Sequence, residues 1–223
     1  MDGFHKNDRN RVRRGHKNAA YDVDTVYRII DSHFLCHVGF EIAGQPHVIP
    51  TCHWREDNRL YWHGSSASHM IRHLSGGNPA TVCVTQLDGL VLARSAFNTS
   101  VNYRSVVCFG EPELVTDEAE FNRQMELFFD RLAPARWQQL RPMTAQERKA
   151  TGLLVMEIDD ASAKVRTGGP GDEEEADWPV WAGHVDIHTL SGTAHDAPEG
   201  TGAPLNHGVL PLFHPARQVR EPS

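Results

Sequence analysis

The sequence predicts a mainly β protein with peripheral helices, arranged as a closed or nearly closed antiparallel barrel of about six strands. Runs rich in β-branched and aromatic residues recur from residue 34 onward, and turns rich in Gly, Pro, Asn and Asp separate them. Helical spacing of apolar residues is confined to a few short segments. This order is not that of a parallel α/β sheet or of a helical bundle.

The strand signals follow one another closely along the chain. The first three candidates form a meander, and Asp88-Gly89 predicts a hairpin turn between two later ones. Gly110 and Pro112 predict a bend in the longest candidate. Strands are expected at 34–42, 47–54, 59–63, 79–87, 90–93, 103–115, 152–158 and 161–166.

Helices are expected where apolar residues follow a capping side chain. Asp22 or Asp24 begins the first helix, which ends near Ser32. Thr144 and Glu147 form a capping box at the start of the last. Between them, helices are expected at 69–74 and 117–133.

Composition and charge narrow the class of protein. The 223 residues include 39% hydrophobic and 23% charged side chains, which excludes a wholly disordered chain and fits one domain with some excess length. The 22 basic and 29 acidic residues give a net charge of −7, which argues against a nucleic-acid partner. No signal peptide or apolar run of about 18 residues is present. We therefore expect a cytoplasmic protein without a membrane partner.

Three segments differ in composition. Residues 1–20 are expected to form a basic arm, residues 21–190 the folded domain, and residues 191–223 a flexible tail rich in Gly, Pro and His. The four cysteines are widely spaced and do not have the spacing of a zinc-binding motif, so we expect reduced, structural thiols.

The turn after the third strand is the most informative segment for function. Gly64, Ser65, Ser66 and Ser68 lead from a strand into a helix that starts at His69. Such a turn can present N–H groups and hydroxyls to a phosphate oxygen. Capping of the helix by Ser65 or Ser66 explains the same residues equally well.

Two further segments could contribute contacts. Pro50 interrupts the second strand, so backbone groups near Thr51 could meet a flat heterocycle, or Pro50 could simply protect an edge strand. Arg94, Asn102 and Arg104 belong to a basic and polar cluster that could bind a phosphate or carboxylate. Surface salt bridges would produce the same pattern.

These motifs together resemble the pyridoxamine 5′-phosphate oxidase-like flavin-nucleotide-binding proteins, and the nitroimidazole-resistance type is the most similar branch. The resemblance spans residues 11–185. It rests on CHVGF at 36–40, QPHVIPT at 45–51, LYWHGS at 60–65, DGLVLARSAF at 88–97, NYRSVV at 102–107, AKVR at 163–166 and PVWAG at 179–183.

The resemblance implies a six-stranded antiparallel split β-barrel that binds FMN, and a homodimer with two cofactor sites at the subunit interface. By position, Pro50 and Thr51 would lie along the flavin ring, and His63 would lie beside the flavin or its substrate. Asn102, Arg104 and Trp181 are candidate contacts from later segments. The phosphate would be held by the turn and the following helix, through Gly64, Ser65, Ser66, Ser68, His69 and Arg72.

The implied activity is that of a flavin-dependent oxidoreductase acting on a small electron-poor substrate such as a nitro-aromatic, with NAD(P)H as a candidate donor. His63 would be the catalytic residue, because an imidazole with an ordinary pKa of about 6.5 can exchange a proton near neutrality. A non-catalytic flavin carrier or redox sensor is an alternative that stays open.

Haem is the second alternative, because some split-barrel relatives hold haem through histidine. The chain has fourteen histidines, and none of them has the spacing of a metal motif. Five fall in one region of the expected barrel, namely His37, His47, His53, His63 and His69.

Overall fold

The computed structural model describes residues 3–200 and Phe213. Contacts within the chain define two compact units. The larger, here called the barrel unit, comprises Met1–Val115 and Ala145–Ile187, and the smaller comprises Thr116–Thr144 and His188–Ser223. Most of the segment expected as a flexible tail lies outside the described residues. The boundaries expected at residues 20 and 190 stay a prediction.

All strands of the barrel unit pair antiparallel, as the sequence predicts, but the described residues contain ten strands where six were expected. Of the eight strand segments expected along the chain, 79–87 and 90–93 form one strand, and three further strands of two to four residues are too short to show any periodicity. The strands are β1 (Ala19–Ala20), β2 (Leu35–Ile42), β3 (Gln45–Glu56), β4 (Arg59–Ser65), β5 (Ala80–Leu92), β6 (Ser100–Gly110), β7 (Glu113–Leu114), β8 (Thr151–Glu157), β9 (Asp160–Arg166) and β10 (Gly183–Asp186).

The strands form one sheet in the order β1-β9-β6-β5-β2-β3-β4-β8-β7, and β10 pairs with β5. β3 changes partners along its length. Its residues Gln45–Cys52 pair with β2, whereas His53–Glu56 pair with β4. The predicted meander is therefore confirmed, and the chain adopts the antiparallel split β-barrel that the resemblance implies.

The strand β5 corrects one expectation. Asp88-Gly89 is not a hairpin turn, because β5 continues through it with a register shift between Leu87 and Gly89. A Cβ atom on Gly89 would lie 2.8 Å from the carbonyl oxygen of Val185 in β10. Glycine is needed here because a third strand approaches closely, and not because the chain reverses.

Two of the helices begin at the expected capping residues. In the barrel unit, α1 (Val23–Asp31) is capped by Asp22, whose carboxylate accepts a hydrogen bond of 2.8 Å from the N–H of Thr25. The unit also contains α2 (His69–Leu74) and α4 (Ala145–Ala150). In the smaller unit, Asp117 caps α3 (Glu118–Leu132) in the same way.

The core of the barrel unit lies between α1, α2 and the inner face of the sheet. It is formed by side chains such as Ile29, Trp62 and Val106, all of which are at most 1% exposed. Cys36 and Cys108 belong to it, and burial raises the pKa of the Cys36 thiol to about 12. All four cysteines are free thiols, which agrees with the expected structural role.

The first twenty residues contact the barrel directly. Phe4 belongs to the core, and β1 pairs with β9. Arg9 forms an ion pair with Asp160 of β9. No helix in the described part of the chain is long and apolar enough to cross a membrane.

Candidate functional site

The turn between β4 and α2 uses much of its polar capacity within the protein. The Ser66 hydroxyl donates to the carbonyl of Lys149 at 2.9 Å, and its N–H donates to the carbonyl of Ala150 at 2.8 Å. Ser68 caps α2 by accepting from the N–H of Ile71 at 3.2 Å. The capping interpretation therefore holds, although the capping residue is Ser68 and not Ser65 or Ser66.

Three side chains of this turn remain directed toward solvent. Ser65, at the end of β4, is exposed, and so are His69 and Arg72 of α2. The Ser65 hydroxyl accepts from the N–H of Ala67 at 3.3 Å and keeps its own proton available for an outside acceptor. A hydroxyl, an imidazole and a guanidinium are groups that can bind a phosphate.

Gly152 allows α2 to lie close to the sheet behind this turn, next to Gly64. The two glycines face each other across β4 and β8. A Cβ atom on Gly152 would lie 2.4 Å from Cγ2 of Ile71, and one on Gly64 would lie 3.4 Å from Cγ1 of the same side chain. Gly152 is therefore required by helix packing, whereas the distance at Gly64 is an ordinary van der Waals contact and the expected cofactor contact of Gly64 stays a prediction.

His63 lies one residue before this glycine and is half-buried. Its ring is tilted against that of Trp54 at 6.0 Å between centroids. Burial lowers the pKa of His63 below its ordinary value, so the imidazole is neutral at neutral pH. The hydroxyl of Thr51 donates to the His63 carbonyl at 3.4 Å, which joins β3 to β4 at this point.

Pro50 and Thr51 lie in the part of β3 that has β2 as its partner. Pro50 faces His37 of β2 and is exposed, whereas pairing with β4 begins only at His53. The missing N–H of Pro50 therefore falls where β3 runs as an edge strand. Both sequence interpretations of Pro50 are compatible with this position.

Asn102 and Arg104 of β6 are engaged within the protein. Asn102 is buried, donates to the carbonyl of Gly168 at 3.1 Å and accepts from Arg166 at 2.6 Å. Arg104 binds both carboxylate oxygens of Asp88, at 2.8 and 2.9 Å. Nothing in these contacts shows a ligand site, and the salt-bridge alternative accounts for them.

The C-terminal segment of the barrel unit leaves Trp181 61% exposed, just before β10. Its ring covers Gly183, where a Cβ atom would come within 2.7 Å of it. The indole is thus available for a contact outside the unit.

The five histidines of the barrel region have different surroundings. His53 is fully buried, and its Nε2 lies 3.0 Å from the carbonyl of Ile30 at the end of α1. His47 stacks on Phe40 at 5.3 Å, and His37 is exposed on β2. Within residues 3–200 and Phe213, no three His, Cys, Asp or Glu side chains come together as a metal site.

A cavity that sequence reasoning missed lies between the loop after β5 and the segment after β9. It measures about 470 Å³ and is lined by Arg94, Ser95, Glu174, Glu175, Asp177 and Trp178. Arg94 closes one side by donating to the nearly buried Asp172 at 3.1 Å. The acidic run was visible in the sequence, but its pairing with Arg94 was not, because the two are far apart in the chain.

The arrangement of strands and helices defines a protein of the split-barrel class. The chain belongs to the pyridoxamine 5′-phosphate oxidase family, whose model matches residues 22–165. This confirms the resemblance found in the sequence. No curated protein matches the sequence significantly.

Several solved structures are similar to this chain. The flavocytochrome Anf3 from Azotobacter vinelandii is 41% identical, with a TM-score of 0.86 over 93% of this chain and 97% of its own. The FAD and heme binding protein from Mycobacterium smegmatis is 34% identical, with a TM-score of 0.81 over 88% and 98%. A candidate 5-nitroimidazole antibiotic resistance protein from Bacteroides thetaiotaomicron shares the fold at 19% identity, with a TM-score of 0.56 over 66% and 86%.

Proposed function

We propose that the protein binds a flavin and haem and acts as a redox protein. The observation that carries this proposal is the similarity, over nearly the whole chain, to a flavocytochrome and to a protein that binds FAD and haem. The FMN inferred from the sequence is thereby broadened to a flavin, with FAD favoured by the second of these proteins. Haem is therefore proposed as a second cofactor beside the flavin, and not as an alternative to it.

The flavin fits the edge where β3 meets β4. Thr51, the His63 carbonyl and the exposed Ser65 follow one another there, and a hydrogen bond fixes the first two. Arg72 and His69 offer exposed polar groups for the phosphate. We propose that these side chains hold the flavin, with Trp181 and Pro50 as further contacts.

Haem fits those histidines of the barrel region whose side chains are exposed or half-buried. His53 directs its ring to the Ile30 carbonyl inside the unit, so we exclude it as a ligand. His63 is kept neutral by burial, and a neutral imidazole is the form that ligates iron. We propose His63, His37 or His69 as the protein's iron ligand.

A bound flavin supplies hydride or electron transfer, and the protein supplies orientation and proton control. Where His37 or His69 is the iron ligand, His63 can accept a proton close to Thr51, and its partial burial limits access of water to the ring. We therefore propose an oxidoreductase that passes electrons from a donor such as NAD(P)H to a small electron-poor compound. A flavin carrier or redox sensor is the non-catalytic form of the same proposal.

Absorption spectra test this proposal. The purified protein is mixed with FAD, FMN or haemin in turn and desalted; we expect a retained flavin band with FAD and a shifted Soret band with haemin. Replacing Ser65 and Arg72 by alanine should weaken flavin binding about tenfold or more, because charge-assisted hydrogen bonds are lost. The matched control Arg28→Ala, on the exposed face of α1, should retain the flavin.

The same preparations identify the iron ligand and separate an enzyme from a carrier. Loss of the Soret shift in only one of the variants His37→Ala, His63→Ala and His69→Ala assigns the ligand. If NADPH bleaches the flavin absorbance and a nitro-aromatic compound then restores it, the result supports an enzyme. Retention of neither flavin nor haemin by the unaltered protein would refute the proposal.

A further inference from the structure

A basic loop at the edge of the sheet is not used by the proposed cofactor sites. The loop runs from Arg11 to Lys17 and is held in place at both ends. The N–H of Val12 donates to the Tyr21 hydroxyl at 2.9 Å, and the N–H of Asn18 donates to the Gly15 carbonyl at 3.0 Å. The chain then enters β1, which pairs with β9. Its charges are therefore presented at a defined place on the barrel unit.

The cations of this loop differ from five other arginines of the barrel unit. Arg11, Arg14 and Lys17 are exposed, and no carboxylate in the described part of the chain forms an ion pair with them. Arg13 reaches only to Asp8 at 4.0 Å, and both of these side chains are more than 70% exposed. Five other arginines have closer carboxylate partners, in the pairs Arg9–Asp160, Arg55–Asp31, Arg59–Glu157, Arg94–Asp172 and Arg104–Asp88.

This concentration of positive charge opposes the charge of the rest of the chain. Residues 1–20 carry six basic and two acidic side chains, whereas the other 203 residues carry sixteen and 27. Lys164 of β9 adds a cation beneath the loop, with its Nζ 3.6 Å from the Cβ position of Gly15. Like charges gathered in one short loop repel one another, and an external anionic surface would relieve that repulsion.

We infer that this cationic surface, formed by Arg11, Arg13, Arg14, Lys17 and Lys164, docks a small acidic electron-carrier protein. The inference rests on the proposed redox function, which requires an electron donor or acceptor. In the docked complex one electron leaves the reduced carrier and enters the cofactor of this chain, so the carrier is oxidised by one electron and the cofactor is reduced by one.

The charge distribution favours an acidic protein over a nucleic acid. The cationic surface is a single compact loop with one strand residue beneath it. A long polyanion would extend from it onto a surface that is acidic overall, where it would be repelled. An acidic protein of limited size can place its charges on the loop alone, and complementary charge mainly speeds such an encounter.

The experiment measures binding of a plant-type [2Fe–2S] ferredoxin, used as the acidic carrier, to the full chain by titration at low and high ionic strength. We expect binding that weakens with salt. The variant Arg11→Glu/Arg14→Glu/Lys17→Glu should weaken it about tenfold or more. The control variant Arg28→Glu/Arg136→Glu/Arg141→Glu changes the net charge equally at exposed positions elsewhere and should bind within about threefold of the unaltered protein.

Three outcomes would overturn the inference: no binding of ferredoxin at low ionic strength, equal weakening in both variants, or tighter loop-dependent binding of a 20-base-pair DNA duplex. Cofactor spectra of the same samples show separately whether the proposed function fails. Ferredoxin binding needs no loaded cofactor, so docking can fail while flavin and haem are retained, and the reverse can also occur.

Discussion

Polar side chains around the candidate site divide into those that bind within the protein and those that face outward. Ser66, Asn102 and Arg104 belong to the first group, because each donates a hydrogen bond to a distant part of the chain. The sequence shows that these residue types can bind an anion, but not which partner they choose. Their partners are close only after the strands have paired, so local sequence cannot predict them.

Two partly buried histidines make the stability of the protein depend on pH. Burial lowers the pKa of His63 and of His33 below 6.5. Between the folded pKa and 6.5, the unfolded chain binds more protons than the folded chain, so the free energy of unfolding falls as the pH decreases through this window. We expect a lower denaturant midpoint at a pH of about 5.5 than at about 7.5.

The variant His63→Gln should reduce this pH dependence, because a glutamine does not titrate. His5→Gln, at an exposed position, serves as the control and should leave the dependence unchanged. A slope that stays the same in both His63→Gln and His33→Gln would contradict the assignment.

Most of the elements were predictable from the sequence because strand and helix periods, capping residues and turn residues are local signals. β2, β4, α1 and α2 lie within two residues of their expected positions. β5 was divided wrongly at Gly89, because a glycine that admits a neighbouring strand has the same local appearance as one that turns the chain. β1, β7 and β10 have only two to four residues and are defined by their pairing with β9, β8 and β5, so the local sequence does not predict them.

The packing of α2 on the sheet gives a prediction at the scale of one element. Because a Cβ atom on Gly152 would clash with Ile71, the change Gly152→Ala should displace α2 and lower the free energy of unfolding by about 1–3 kcal/mol. Flavin affinity should fall with it, since α2 carries His69 and Arg72. Gly169→Ala, at a position with no atom within 4 Å, is the control for both thermal unfolding and flavin titration.

The whole molecule exposes apolar side chains on the outer face of its sheet. Leu35 is 39% exposed, Val48 64% and Leu87 46%, and their strand registers place them on the same face. Exposed apolar surface of this kind is typical of an interface. We therefore propose the homodimer that the resemblance implies, with this face in its interface.

Light scattering after gel filtration tests the homodimer. The unaltered protein should elute as a dimer of about 50 kDa, twice the 25.0 kDa of one chain. Val48→Glu/Leu87→Glu should elute as a monomer with an unchanged far-UV spectrum, because buried charges oppose association. Phe97→Glu, at a 94% exposed loop position, should remain dimeric. A monomeric unaltered protein would contradict the proposal.

The change of partners along β3 links the two parts of the sheet. β2 and β4 each pair with a different part of the same strand, so a displacement of the β3 backbone at the junction affects both of them. Thr51 lies two residues before the change and bonds across it to His63. A molecule bound along this junction would therefore slow amide hydrogen exchange in both β2 and β4. The slowing would extend to residues that the bound molecule does not contact.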